Sequence, residues 1–150
     1  MSDFGVQSDR TMLEPAYRQT HYVIVGAAVP FTLFIDQPSV ELRRCYVAQG
    51  VSCSVFLTAW NPLSVMTDPR INQRAQQQLL DHLGAVGWTY LLADALDPMG
   101  HWPTESGVLV FGVDQHQAVT LGAAYQQNAV VWCDESATPT LRWCVPPDRC

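Results

Sequence analysis

The stretch from Val108 to Val113 is apolar at almost every position, with Gly112 as its only interruption. A strand of this composition turns hydrophobic side chains to both faces, so it belongs at the centre of a sheet that is covered on both sides. A chain of 150 residues, 48% of them hydrophobic, can bury one such core and is too short for two ordinary domains. The reading is therefore one globular domain over residues 1–150, with 1–12 and 144–150 as peripheral tails.

The rest of the chain supplies the covering elements. A short helix is expected over Leu13 to Gln19, then strands near Tyr22 to Val25 and Phe31 to Ile35, paired as a hairpin across the turn that begins at Gly26. Val40 to Gln49 reads as a helix that starts after Pro38 and Ser39 and stops at Gly50. Ser52 to Thr58 reads as a buried strand. The clearest helix runs from Pro69 to Leu83: Asp68 can cap it, and Ile71, Ala75, Leu79 and Leu83 recur every four residues, opposite a glutamine-rich face. Strands from Trp88 to Ala93 and from Val108 to Val113 follow, joined by a long loop. Asp114 and Gln117 form a capping-box pattern before a helix that carries Ala118, Leu121, Gly122 and Tyr125 on one face. Ala129 to Cys133 and Thr140 to Trp143 close the sheet. The expected fold is α/β of the mixed α+β kind: a mixed parallel and antiparallel sheet covered by about three helices.

Charge narrows the function classes. The formal net charge is −6 and all eight basic residues are arginines. Scattered arginines in a negative field do not make the basic patch that phosphate neutralisation needs, so no nucleic acid is expected as a partner. Without lysine there is no Schiff-base chemistry and no P-loop lysine. No apolar stretch is long enough for a membrane span, and Met1 to Arg10 has no signal pattern, so a cytoplasmic protein is expected. The five cysteines, Cys45, Cys53, Cys133, Cys144 and Cys150, include no C-x-x-C pair and are odd in number. They read as small apolar residues in a reducing compartment, with an exposed thiol at the tail, rather than as a disulfide framework or a zinc site.

Three polar clusters flank the most apolar strands: Thr58 to Pro62, His101 to Ser106, and Gln126 to Ala129. The strand–helix–strand unit from Val108 to Trp132 should be internally parallel, which brings Glu105 and Asn128 to one sheet edge. Asn61 joins them if the Cys53 to Leu57 strand runs the other way. Such an edge would offer Glu105 as general acid or base, and Trp60, Asn61, Asn72, His101, Trp102, Gln127 and Asn128 as ligand-binding residues. Each also has a plainer role. Asn61 before proline is an ordinary turn former, the two tryptophans suit a core, Gln127 and Asn128 can satisfy backbone groups, and Glu105 can pair with an arginine such as Arg43. Asp97, His101 and Glu105 recur at four-residue spacing, but Pro98 and Pro103 break any helix that would align them, so no metal site is expected, and no cofactor. The G-x-S-x-G, H-E-x-x-H, G-x-G-x-x-G and Walker patterns are all absent.

Taken in order, Tyr17-x-x-Thr20-x-Tyr22, Phe31-x-Leu33-x-Ile35 with Gln37-Pro38-Ser39, Thr58-Ala59-Trp60-Asn61-Pro62, Asn72, Trp102-Pro103-x-Glu105-Ser106, Gly112, and Leu121-Gly122 with Gln127-Asn128-Ala129 resemble the bacterial domain of unknown function 3293. The resemblance spans residues 16–132 and implies no particular activity. The neutral segment Ala123 to Gln126 departs from the basic residues of that family's pattern, and the cysteine-bearing tail after Trp143 has no counterpart in it.

The expected function is a cytoplasmic small-ligand-binding domain, enzymatic if Glu105 moves a proton, with a small polar molecule as its partner. The alternative is an acidic module of the inhibitor or immunity type that covers a basic protein partner through Asp134, Glu135 and Asp148.

Overall fold

The structure, a computed structural model, describes residues 10–144. In chain order its elements are α1 (Arg10–Gln19), β1 (His21–Ile24), β2 (Phe31–Leu33), α2 (Val40–Gln49), β3 (Ser54–Leu57), a 3-10 turn (Pro62–Ser64), α3 (Pro69–Val86), β4 (Tyr90–Leu96), β5 (Glu105–Phe111), α4 (Gln115–Ala124), β6 (Ala129–Cys133) and β7 (Pro139–Trp143). The helix ends follow from local hydrogen bonds. The Ser39 hydroxyl accepts from the Leu42 amide and Gly50 closes α2 in the left-handed region at φ 69°. Asp68 caps α3, with Pro69 in its first turn. Asp114 and Gln117 make a reciprocal capping box at α4.

The seven strands form one sheet in the order β2-β1-β4-β5-β3-β6-β7. β5 is central, and its residues from Gly107 to Phe111 are all buried. Its side chains alternate: Leu109 and Phe111 join Leu42 and Tyr46 of α2 on one face, while Val108 and Val110 join Leu79 and Leu83 of α3 and Leu121 of α4 on the other. β3 divides likewise, Phe56 to the first face and Val55 and Leu57 to the second. The sheet is thus the middle layer of three.

Every neighbouring pair of strands is antiparallel, which overturns the expectation of a mixed sheet. Four α-helices cover it among the described residues, where about three were expected. The strand–helix–strand unit misled for a specific reason. β5 and β6 do run in the same direction, because both are antiparallel to β3, but β3 lies between them and takes the ladder on either side. The α4 connection therefore skips one strand.

Boundaries moved where side-chain pattern and backbone pairing disagree. β4 extends to Leu96 and β5 starts at Glu105, because Asp94 and Ala95 pair with Ser106 and Glu105 in what reads locally as loop. In α3 the buried stripe is Asn72, Gln76, Leu79 and Leu83, while Ile71 is 53% exposed. The N-terminal half of the helix buries amides instead of aliphatics, and those amides build the site. Cys144 is also buried: its Sγ lies against α4 at Gly122 and its backbone N–H donates to the Asn128 carbonyl. Cys133 is buried, Cys45 and Cys53 are partly so, and all four are free thiols. Asp148 and Cys150 lie outside the described residues.

Candidate functional site

Because β3 runs against β5 and β6, the end of β3 and the starts of β5 and β6 share one edge of the sheet. The chain leaving β3 is held there by buried side chains. Gln76 of α3 accepts from the Ala59 amide through Oε1 at 3.0 Å, and Asn72 accepts from the Asn61 amide through Oδ1 at 2.8 Å. Asn72 Nδ2 in turn donates to Asn61 Oδ1 at 2.8 Å and to the Thr67 carbonyl at 3.2 Å. The Thr58 hydroxyl accepts from the Trp60 amide and donates to the Ser106 carbonyl of β5. All of these bonds but the one between the Asn72 and Asn61 side chains satisfy a backbone group.

This clamp fixes the Asn61 side chain. Its Oδ1 accepts from the Thr67 amide at 3.0 Å as well as from Asn72. A backbone N–H can only donate, so the opposite end must be the amide nitrogen. That nitrogen points at Glu105 and donates to Oε2 at 2.9 Å. Among the described residues Glu105 has no cationic partner: the ion pairs are Arg18 with Glu14, Arg18 with Asp36, and a His101–Asp97 approach of 3.9 Å. Arg43, a possible partner on sequence grounds, donates to the Ser136 carbonyl instead. Burial therefore raises the Glu105 carboxyl above its ordinary value, opposed only by the Asn61 hydrogen bond.

Backbone strain is concentrated at the same edge. Asn61, Leu63 and Ser64 have φ of 47°, 53° and 63°, and Gln126, whose carbonyl accepts from the Leu63 amide at 2.6 Å, has φ 57°. Left-handed residues other than glycine are costly and are kept only where their surroundings over-determine them. Here the fixed partners Asn72, Glu105 and Asn128 do so; Asn128 Nδ2 donates to the Ser64 hydroxyl at 2.9 Å.

The edge opens on a cavity of about 240 Å³. Glu105, Asn61, Trp60, Trp102 and Gln127 line it, together with Thr58, Ser64, Met66, Tyr22 and Phe56. α1 forms another wall, through Leu13, Ala16 and Tyr17, with Thr20 just after it. That helix is tied down at its C-terminal end, where Tyr22 Oη donates to the Tyr17 carbonyl at 2.7 Å and Arg18 reaches Asp36 at 2.6 Å. The Tyr17 ring meets Trp143 edge-on with centroids 5.8 Å apart. Burial pushes the Tyr17 phenol up to about 12, against a hydrogen bond with Ser64 that lowers it, so the phenol stays neutral.

The structure thus gathers Trp60, Asn61, Trp102, Glu105 and Gln127 around one cavity. Gln127 also donates to the Trp60 carbonyl at 3.2 Å, which ties the β3 exit to the start of β6. Asn72 and Asn128 stand behind the cavity, as supports for Asn61 and Ser64. His101 is not part of it. Its side chain is 75% exposed, and its backbone donates to Asp97, which also accepts from Met99. Burial works to raise the Asp97 carboxyl, but those amides and the His101 ring hold it below its ordinary value, as befits the organiser of a turn. Among the described residues no three histidine, cysteine, aspartate or glutamate side chains converge to hold a metal.

Sequence reasoning did not assign Tyr17, Ser64 or Gln76 to the site. Tyr17 opens one of the named motifs and Ser64 follows another by two residues, but only the placement of α1 and the left-handed turn directs them inward. Gln76 was hidden in the glutamine-rich face; its helical spacing of four from Asn72 was the available signal. Asp134, named for the acidic-module alternative, accepts from the Ser136 amide and hydroxyl and so shapes its own turn.

A family model described as a protein of unknown function (DUF3293) matches residues 57–130, from the end of β3 to the start of β6. The matched segment carries Trp60, Asn61, Asn72, Trp102, Glu105, Gln127 and Asn128. No curated protein and no solved structure matches the chain. No helix among the described residues is long and apolar enough to cross a membrane.

Proposed function

Given that the chain belongs to the DUF3293 family of proteins of unknown function, we propose that it binds a small organic molecule in the cavity between α1 and the shared edge of β3, β5 and β6. Glu105 is the polar anchor of that ligand and the acid or base of any proton transfer carried out there. The observation that carries this reading is a carboxylate facing a cavity with, among the described residues, one amide donor and no cation. Such a group is costly to keep unless it is used. At about 240 Å³ the cavity is below the roughly 300–1,000 Å³ of drug-sized sites, so its occupant is small. The strained turn at Asn61 to Ser64 supports the same reading, because strain of this kind collects at binding and catalytic sites.

A thermal-shift screen with small metabolites of every charge class tests it. A ligand at about a hundred times its dissociation constant adds roughly 2.7 kcal/mol, or about 5–10 °C in Tm for a chain of this size. The shift should disappear in Asn61→Ala and Trp102→Ala. Flat shifts throughout, with Glu105→Gln no different from the parent, would overturn the reading and leave the acidic protein-interaction module as the better account.

A further inference from the structure

The side chains that line the cavity have a one-sided chemistry. Among the described residues Glu105 is the only charged one that lines it, and no arginine or histidine contributes to the wall. An anionic ligand would bury its charge against a carboxylate and without a donor cation, which costs several kcal/mol in a site of low polarity. Five aromatic rings complete the wall: Tyr17, Tyr22, Phe56, Trp60 and Trp102. The faces of such rings carry negative potential and attract organic cations, tryptophan most strongly. Glu105 Oε2 is engaged by Asn61, while its second oxygen accepts no hydrogen bond from the described residues. That oxygen is an acceptor awaiting a donor. The overall charge of −6 also favours the approach of cations over anions.

We infer that the ligand is a protonated primary amine, with its ammonium on the unengaged oxygen of Glu105 and its hydrocarbon part against the aromatic wall. This rests on the proposed binding site and specifies what that site takes. The ammonium supplies the counter-charge that the fold withholds from Glu105, and its hydrogen bond to a carboxylate is of the stronger, charge-assisted kind. The Asn61 clamp leaves the acceptor in place before the ligand arrives, so little ordering accompanies binding.

Calorimetric titration of the whole chain with three amines of increasing size, butylamine, cyclohexylamine and benzylamine, tests the assignment against the matched alcohols and carboxylates. At least one amine should bind about tenfold or more tighter than its alcohol, with no binding of the carboxylates. In Glu105→Gln the preference for the amine over the alcohol should vanish. Trp102→Ala, which leaves Glu105 untouched, should weaken amine and alcohol together. Equal affinity for amine and alcohol, or a preference for the carboxylate, would overturn the amine assignment and leave the binding site standing. Absence of binding by all nine compounds, where the metabolite screen does find a ligand, also overturns it; absence in both removes the site itself.

Discussion

Asn61 Nδ2 donates to Glu105 Oε2 over 2.9 Å, joining two residues 44 positions apart at the ends of antiparallel neighbours. The bond is directional because the other end of the Asn61 amide is occupied by a backbone donor and by Asn72. Glu105 is therefore offered an N–H whether or not it is ionised, and the charge itself is left to the cavity.

Stability should depend on the ionisation of Glu105. Burial raises its carboxyl above the ordinary 4.5, so the stability contributed by the protonated form is complete below that value and is lost as pH rises through the raised one. Glu105→Gln cannot ionise and keeps an oxygen for Asn61. Its Tm should exceed that of the parent at about pH 7.5, and the two should converge at about pH 4. Melting curves that coincide at the higher pH would count against a strained carboxylate.

Asn72→Ala removes the acceptor for the Asn61 amide and a donor to the Thr67 carbonyl. Loss of stability on the order of 2 kcal/mol is expected from the groups left unpaired in a buried place. Ile71→Ala, one residue away on the exposed side of the same helix, should change the unfolding free energy from denaturant titration by less than about 0.5 kcal/mol. The reverse ranking would mean that α3 is rotated from its described face.

At Gly122 α4 lies close against the sheet. A Cβ there would lie 2.5 Å from Val130 Cγ1 and 2.6 Å from Cys144 Sγ. Gly122→Ala should cost about 1–3 kcal/mol by overpacking, even though alanine is the better helix former by up to about 1 kcal/mol. In the double variant with Val130→Ala the two losses should sum to less than their separate values, since the second change makes room for the first.

The C-terminus of α4 has the hydrogen bonds of a Schellman motif, Gln127 N–H to the Gly122 carbonyl at 2.9 Å and Gln126 N–H to the Ala123 carbonyl at 3.0 Å. The left-handed position that usually carries glycine is occupied by Gln126, an exposed side chain. Gln126→Gly should stabilise the fold by about 1 kcal/mol, measured by urea denaturation, and leave ligand affinity unchanged. A destabilised variant would show that the Gln126 side chain makes contacts that outweigh its backbone strain.

Much of the fold was legible in the sequence, because much of it is decided within a few residues. Ser39 and Gly50 bound α2, Asp68 and Pro69 start α3, and Asp114 with Gln117 caps α4 through bonds spanning three residues or so. The apolar run of β5 likewise required a buried central strand, whatever its neighbours. The family resemblance was legible too, and the family model confirms it over residues 57–130.

What only the tertiary structure decided is which strands neighbour β5. An apolar strand pairs about equally well with several others, so the insertion of β3 between β5 and β6 leaves no mark on either sequence. That insertion makes the sheet wholly antiparallel, and it sets Asn61 beside Glu105. It also turns Asn72 and Gln76, which read as one edge of a polar helix face, into buried clamps for the turn after β3. Side-chain periodicity shows that a residue faces inward. Whether an amide there finds a backbone group to satisfy depends on a chain segment 11 to 17 residues away, and so on the fold.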